Sequence, residues 1–245
     1  MRLRGLFQVT GSWLFTLAFG LSASALTLFT LGRFSHRLSP WLLRFWGRTM
    51  LRIAGVTWEV QGRANLEDGA MKIVTFNHGS LLDAFLVTAV MPAGGVAALK
   101  REVLWYPVVG VTVVLLGFLL LDRANRAQAH GTLGRAGRRM AAERLSVFIA
   151  PEGTRSLDGS LQPFKKGALR LALDSRAPIV PMVIEGAFAL HGPGRLVSSR
   201  GHVVIRVLAP RPSTGLTEEC LAVEGEALRA VYAAELLRMG EARTR

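Results

Sequence analysis

Cysteine is almost missing: Cys220 is the single one in 245 residues. No intrachain disulfide can form, which agrees with a reducing compartment. Glu218 and Glu219 stand beside it, an acidic neighbourhood unlike the electropositive one reactive cysteines occupy, so it is a poor nucleophile candidate. The five histidines (His36, His78, His130, His191, His202) show no i,i+3 or i,i+4 pairing, and no structural metal is expected. Acid is scarce as well, with 17 Asp and Glu against 30 Lys and Arg, a net charge of +13. That balance attracts anionic lipid, an acidic carrier protein or nucleic acid by the same electrostatics. No zinc-finger spacing and no aromatic RNA-binding signature accompanies it, so nucleic acid is set aside as a partner. A plainer reading is that arginine, 26 of the 30 basic residues, simply coats the surface.

Charge is also absent from a run of 28 residues, Gly5 to Gly32, in a chain whose mean hydropathy is +0.33. A helix crosses a bilayer with about 20 apolar residues, so this run suffices. Arg33, Arg37, Arg44, Arg48 and Arg52 follow it, against Arg2 and Arg4 before it. If the run spans once, the heavier basic flank puts the remainder in the cytoplasm. Two competitors stand beside a single span. Ala23-Ser24-Ala25 imitates a signal-peptide cleavage site, although the apolar run continues through Leu26, Leu28, Phe29 and Leu31. The other is a helical hairpin dipping into one leaflet, broken near Gly20 and resumed before Pro40.

Beyond the arginine belt, strands and helices alternate. Strands are expected at 56–60, 71–76, 96–99, 117–121, 146–150, 179–184 and 203–208. Helices are expected at 81–90 behind a Ser80 cap, at 125–144 despite Gly131, Gly134 and Gly137, at 165–174 and at 218–239. Residues 103–121 are uncharged, but Pro107, Gly110 and Gly117 favour a helix followed by a buried strand over a second span. The chain therefore reads as α/β: a single sandwich domain with a mixed, largely parallel sheet flanked by helices, preceded by an N-terminal membrane helix or helical hairpin. The anchor is assigned to 1–35 and the domain to 36–245.

Two segments carry chemistry. Asn77-His78-Gly79-Ser80-Leu81-Leu82-Asp83 follows one expected buried strand, and Pro151-Glu152-Gly153-Thr154-Arg155 follows another. In a mainly parallel sheet such loops emerge at one edge, where α/β proteins place ligands. A histidine side chain can accept a proton at neutral pH, which makes His78 a candidate base. Asp83 reaches it if His78 lies in a loop and Asp83 in the first helical turn, where it would fix the imidazole tautomer. The bland alternatives are that Asp83 only caps the helix and that His78 is a buried structural histidine. Glu152-Gly153-Thr154-Arg155 is either an ordinary strand-to-helix turn or a grip for phosphate through backbone N–H groups and a guanidinium. Lys165-Lys166 adds two cations at a helix start, where the dipole disfavours them unless an anion is present.

On these residues the chain resembles the glycerolipid acyltransferase family over about residues 50–210. His78 with Asp83 is similar to the family's histidine–four–aspartate block. Lys100-Arg101-Glu102, with Pro107, Gly110 and Asp122-Arg123, resembles the second block. Pro151 to Ser156 resembles the third, and Ile179-Val180-Pro181-Met182 the fourth. Ala150 stands where an aromatic often precedes the proline, and Val103 replaces a common leucine. Neither departure removes a polar group.

The resemblance implies an O-acyltransferase moving a fatty acyl group from acyl-CoA or acyl-carrier protein to a lysophospholipid hydroxyl, most specifically the sn-2 hydroxyl of 1-acylglycerol-3-phosphate. His78 would be the base and Asp83 its orienting partner. Lys100, Arg101, Glu152, Gly153, Thr154 and Arg155 would bind substrate, and backbone N–H groups near His78 would hold the oxyanion. Residues 103–121 are a candidate acyl-chain wall, with plain core packing as the alternative. No cofactor is implied beyond the acyl donor, and the site would lie at the cytoplasmic face of a membrane. Another lysolipid acceptor such as a lyso-aminolipid, a hydrolase using Ser80, and a membrane lipid-binding protein without turnover remain as rivals.

Overall fold

Short runs rich in Val, Ile and Phe, buried on both faces, form the middle of one sheet, and amphipathic helices close over it. The structure, a computed structural model, describes residues 3–30, 35–121 and 126–244; Arg33 and the Asp122-Arg123 pair lie outside the described residues. The order is α1 (Leu3–Phe29), α2 (Ser35–Ala54), β1 (Val56–Gln61), a short α3 (Ala64–Glu67), β2 (Ile73–Phe76) and α4 (Leu82–Val90). Then come β3 (Gly95–Lys100), a 3-10 turn (Arg101–Trp105), α5 (Pro107–Leu115), β4 (Leu119–Leu121), α6 (Arg126–Glu143) and β5 (Ser146–Ile149). The chain finishes with α7 (Gly167–Ser175), β6 (Ile179–Glu185), α8 (Ala187–Leu190), β7 (Gly201–Val207) and α9 (Leu221–Thr244).

The strands form a seven-stranded sheet in the order β1-β7-β6-β2-β5-β3-β4. Every neighbouring pair is parallel except β6 with β7. The expected mixed, largely parallel α/β sandwich is what the chain adopts. β2 lies between β5 and β6, with Thr75 opposite Ile149 on one side and Pro181 on the other. The loops leaving β2 and β5 are therefore immediate neighbours at one sheet edge.

Two apolar layers sandwich the sheet. One joins Leu43 and Leu51 of α2 and Leu82, Leu86 and Val90 of α4 to Val74, Phe148 and Met182. The other joins Met140 of α6, Leu169 and Leu171 of α7, and Leu228 and Tyr232 of α9 to Ile73, Val147 and Val183. Tyr232 is fully buried; its hydroxyl donates to Thr75 Oγ1 at 2.9 Å and accepts the Met182 N–H at 3.2 Å. That pair of bonds pins α9 to the centre of the sheet. The glycines of α6 do not break it, and Gly137 has a packing reason: a Cβ there would stand 3.1 Å from Asp174 Cβ of α7.

The N-terminal run differs from one expectation. No break occurs at Gly20; α1 continues through it to Phe29, and α2 starts at Ser35 and contains Pro40. Gly20 instead permits a close approach, since a Cβ would meet Val108 Cγ1 at 2.8 Å and Thr112 Oγ1 at 2.9 Å on α5. Gln8, Ala23 and Thr27 continue the buried face, while Phe7, Trp13, Leu14, Leu21 and Leu28 are exposed. By length and composition α1 can cross a membrane. One face of it is nevertheless docked on the domain along most of its length. Gln8 Nε2 donates to Ala54 O at 2.9 Å, Thr16 accepts from Trp46 Nε1 at 3.2 Å, and Ser24 pairs with Thr112 at 3.2 Å. In the arginine belt, Arg44 and Arg48 donate to Met91 O and Ala89 O at 3.0 and 3.3 Å, satisfying the carbonyl end of α4.

Candidate active site

β2 ends at Phe76, and Asn77 then behaves as one more rung of the sheet. Its side chain donates to Ile184 O at 2.9 Å and accepts the Ile184 N–H at 2.8 Å. The chain turns after it, so His78 sits in a loop and Asp83 in the first turn of α4, the arrangement the five-residue spacing requires. His78 Nδ1–H donates to Asp83 Oδ2 at 2.8 Å, with the side chains 25% and 2% exposed. The same oxygen accepts the N–H groups of Gly79 at 2.9 Å and Ser80 at 2.8 Å. A carboxylate receiving two backbone N–H bonds is an acceptor, so the imidazole carries its proton on Nδ1 and leaves Nε2 as the basic atom. Asp83 both orients the histidine and organises the helix start; the two readings of this residue are one structure.

The 151–155 turn grips the same loop. Glu152 is buried; Oε1 accepts the His78 N–H at 2.6 Å and Oε2 the Gln162 N–H at 2.9 Å. Burial pushes its carboxyl above the usual range, while those N–H bonds and the nearby His78 pull the other way. Ser156 N–H donates to His78 O at 2.8 Å, so the histidine main chain is held at both ends. Glu152 therefore acts as a clamp on the main chain of the His78 loop. The expectation of oxyanion donors in the loop changes too. The N–H groups of His78, Gly79 and Ser80 are already bonded to Glu152 and Asp83.

Ser80 is buried; its Oγ donates to His191 O at 2.8 Å and accepts the Leu82 N–H at 3.1 Å. That occupation removes it as a hydrolase nucleophile. Gly153 has φ +77°, and a Cβ there would lie 2.9 Å from Lys165 Cδ, so the turn requires glycine and brings Lys165 over it. Thr154 and Arg155 are exposed at the tip.

A cavity of about 770 Å³ begins at His78 and Gly153-Thr154-Arg155 and runs between α1, α2, α4 and α5. Lys100 lines it; Arg101 is exposed and stands outside the lining. Tyr106, Val109, Val113, Leu116 and Phe118 supply one wall, so the 103–121 segment bounds this cavity. Thr16, Phe19 and Gly20 of α1 and Leu43 and Trp46 of α2 supply another, which sequence reasoning missed. The available signal was the small or polar series Gln8, Thr16, Gly20, Ser24 and Thr27, spaced at three to eight residues in an otherwise apolar run.

Residues 57–185 match the model of the protein family described as Acyltransferase. Among curated relatives, the 1-acyl-sn-glycerol-3-phosphate acyltransferase of Limnanthes alba is 41% identical over 140 residues, 57% of this chain and 49% of that protein. The human 1-acyl-sn-glycerol-3-phosphate acyltransferase beta is 33% identical over 189 residues, 72% of this chain and 68% of that protein. The match thus spans about half to two thirds of the length of these relatives. In fold, the chain is similar to the crystal structure of the 1-acyl-sn-glycerophosphate (LPA) acyltransferase PlsC from Thermotoga maritima. The TM-score is 0.79 at 24% identity, covering 98% of this chain and 97% of that one.

Proposed function

The chain belongs to the acyltransferase family, and from that premise we propose that it transfers a fatty acyl group from acyl-CoA or acyl-carrier protein to the sn-2 hydroxyl of 1-acylglycerol-3-phosphate. The observation that carries this reading is the His78–Asp83 pair at the mouth of a long apolar cavity, beside an exposed arginine turn. In the reaction, the acceptor oxygen attacks the thioester carbonyl carbon while His78 Nε2 takes its proton. The tetrahedral intermediate then collapses, the carbon–sulfur bond breaks, and the imidazolium returns the proton to the departing thiolate. An oxygen ester and a free thiol result. General-base help of this kind contributes on the order of 10²–10⁴ in rate.

Arg155 and Lys100, with Gly153 and Thr154, hold the acceptor phosphate, and Lys165 joins them because it lies over the Gly153 turn. Arg101 contributes to the surrounding positive field. Glu152 acts on the base through the main chain. Oxyanion stabilisation falls to the Thr154–Arg155 end of the turn, since the N–H groups of the His78 loop and of Gly153 are occupied. The acyl chain takes the apolar cavity. The anchor, residues 1–35, is placed in the membrane; α1 within it keeps one face on the domain, and its exposed apolar residues continue onto Trp41 and Phe45 of α2. The excess of arginine after it supports a site on the cytoplasmic face.

The test is transfer of a labelled acyl group from each donor to a panel of lysolipids in detergent. Transfer to lysophosphatidic acid, competed by that lipid and not by a lyso-aminolipid, is expected. Transfer only to another lysolipid overturns the acceptor assignment, and no transfer from either donor by folded protein overturns the reaction.

A further inference from the structure

His78 lines two cavities, not one. The apolar cavity extends over the β5 and β3 side of the sheet. A second cleft of about 350 Å³ opens over the ends of β2 and β6, against the last turns of α9. Its walls include Gly79, Ser160, Leu161, Phe188, Leu236 and Gly240. Phe188 is seated where three backbones leave room for it: a Cβ would approach its side chain to 3.3 Å from Gly79, 2.7 Å from Gly159 and 3.5 Å from Gly192. The adjoining rim is a turn organised by Asp158, whose carboxylate accepts Ser156 Oγ–H, Ser160 N–H and Ser160 Oγ–H at 2.7–3.0 Å. The cleft is thus a formed feature beside the base, and the steps of acyl transfer described above leave it unused.

Its lining says what it suits. The carboxylates there, Asp83, Glu152 and Glu185, are engaged by partners of their own, and among the described residues the lining holds neither lysine nor arginine, whereas Lys100 and Arg155 belong to the other cavity. Phosphate is therefore drawn to the other cavity. A neutral chain of amides and methylenes matches the mixture of hydroxyl, backbone and apolar groups. The chemistry supplies the same answer. A thioester carbonyl carbon bears two arms, the acyl chain and the sulfur, directed apart. With the acyl chain in the apolar cavity and the carbonyl at His78, the sulfur side must leave in another direction. We propose that this second cleft receives the neutral, amide-bearing arm that carries the sulfur in acyl-CoA and acyl-carrier protein alike. The proposal rests on the acyl-transfer reading.

Gly240 allows a direct test, because a Cβ there meets no neighbouring heavy atom within 4 Å. Gly240→Trp would fill the cleft from α9, with Gly240→Ala as its control. Steady-state kinetics would vary acyl-CoA and lysophosphatidic acid separately. A third donor, an acyl thioester of a small thiol lacking the amide arm, would complete the set. Gly240→Trp should raise KM for acyl-CoA about tenfold while KM for the lysolipid stays put. The short thioester should react equally with Gly240→Trp, Gly240→Ala and wild type. An unchanged KM for acyl-CoA overturns the proposal, and so does an equal loss with the short donor. Absence of transfer from every donor by wild type overturns the acyl-transfer reading itself, and this one with it.

Discussion

The 77–83 turn and the 151–155 turn sit side by side at one sheet edge, yet they are built on different plans. The first is saturated: Asp83 Oδ2 receives three donors, Asn77 pairs twice with Ile184, and Ser80 Oγ both donates and accepts. The second is divided. Glu152 points inward and is consumed by the scaffold, while Thr154 and Arg155, two and three residues later, face solvent. Residues that must hold a base in one orientation are locked by low-dielectric hydrogen bonds. Residues that must meet a headgroup stay open until it arrives. Substitutions on the two plans should therefore fail differently: the buried carboxylates of the lock, Asp83 and Glu152, lose rate and stability together when removed, and open positions lose affinity alone.

The largest effect should come from Asp83→Ala, which removes the imidazole partner and the acceptor for two backbone N–H groups. Transfer should fall about 10³-fold, and the melting temperature should fall with it; loss of rate alone would separate catalysis from the cap. Next is Glu152→Ala, which strands the N–H groups of His78 and Gln162 at a cost of about 1–3 kcal/mol each where they stay dry. Denaturant unfolding would measure it. Burial raises the Glu152 carboxyl, so its ionised form weakens the native state. Its stabilising contribution is full below the unfolded value of 4.5 and is lost as pH rises through the raised one. The stability difference between wild type and Glu152→Gln should shift against wild type over that window. If it shifts the other way, the hydrogen bonds outweigh the burial.

Arg155→Ala should raise KM for the acceptor about tenfold with unfolding unchanged, and Arg155→Lys should recover part of it, because a point charge replaces a fork. A drop in stability would move Arg155 into the locked class. The smallest effect, about twofold in acceptor KM, is expected for exposed Lys100→Ala, in keeping with the weak pull of solvated charges.

Much of this was legible in the sequence. Strands of four to seven apolar residues delivering directly into His78 and into Pro151 gave both the α/β class and the meeting of the two loops, since parallel strands present their C-terminal ends together. The five-residue spacing from His78 to Asp83 implied a loop-to-helix junction, and one forms. What stayed hidden has a common cause. Glu152 reads like a substrate ligand because a short turn does not reveal which side chain points inward. Gly20 reads like a helix break because intrinsic propensity counts against glycine, whereas the close approach of α5 requires it. The α1 and α2 side of the cavity was masked because residues that face lipid and residues that face an acyl chain are equally apolar. Only packing separates Phe19, which lines the cavity, from Leu21, which is exposed.

The central claim is that His78, held by Asp83 and Glu152, removes the acceptor proton. The measurement that addresses it most directly is the rate of acyl transfer from acyl-CoA to lysophosphatidic acid by wild type and His78→Ala in the same detergent, with thermal unfolding recorded on the same samples. The account predicts a fall of 10²-fold or more, on the order expected for a lost general base, with unfolding nearly unchanged, because the histidine ring is partly exposed and its main chain keeps its bonds. Transfer within a few-fold of wild type from folded His78→Ala would contradict it.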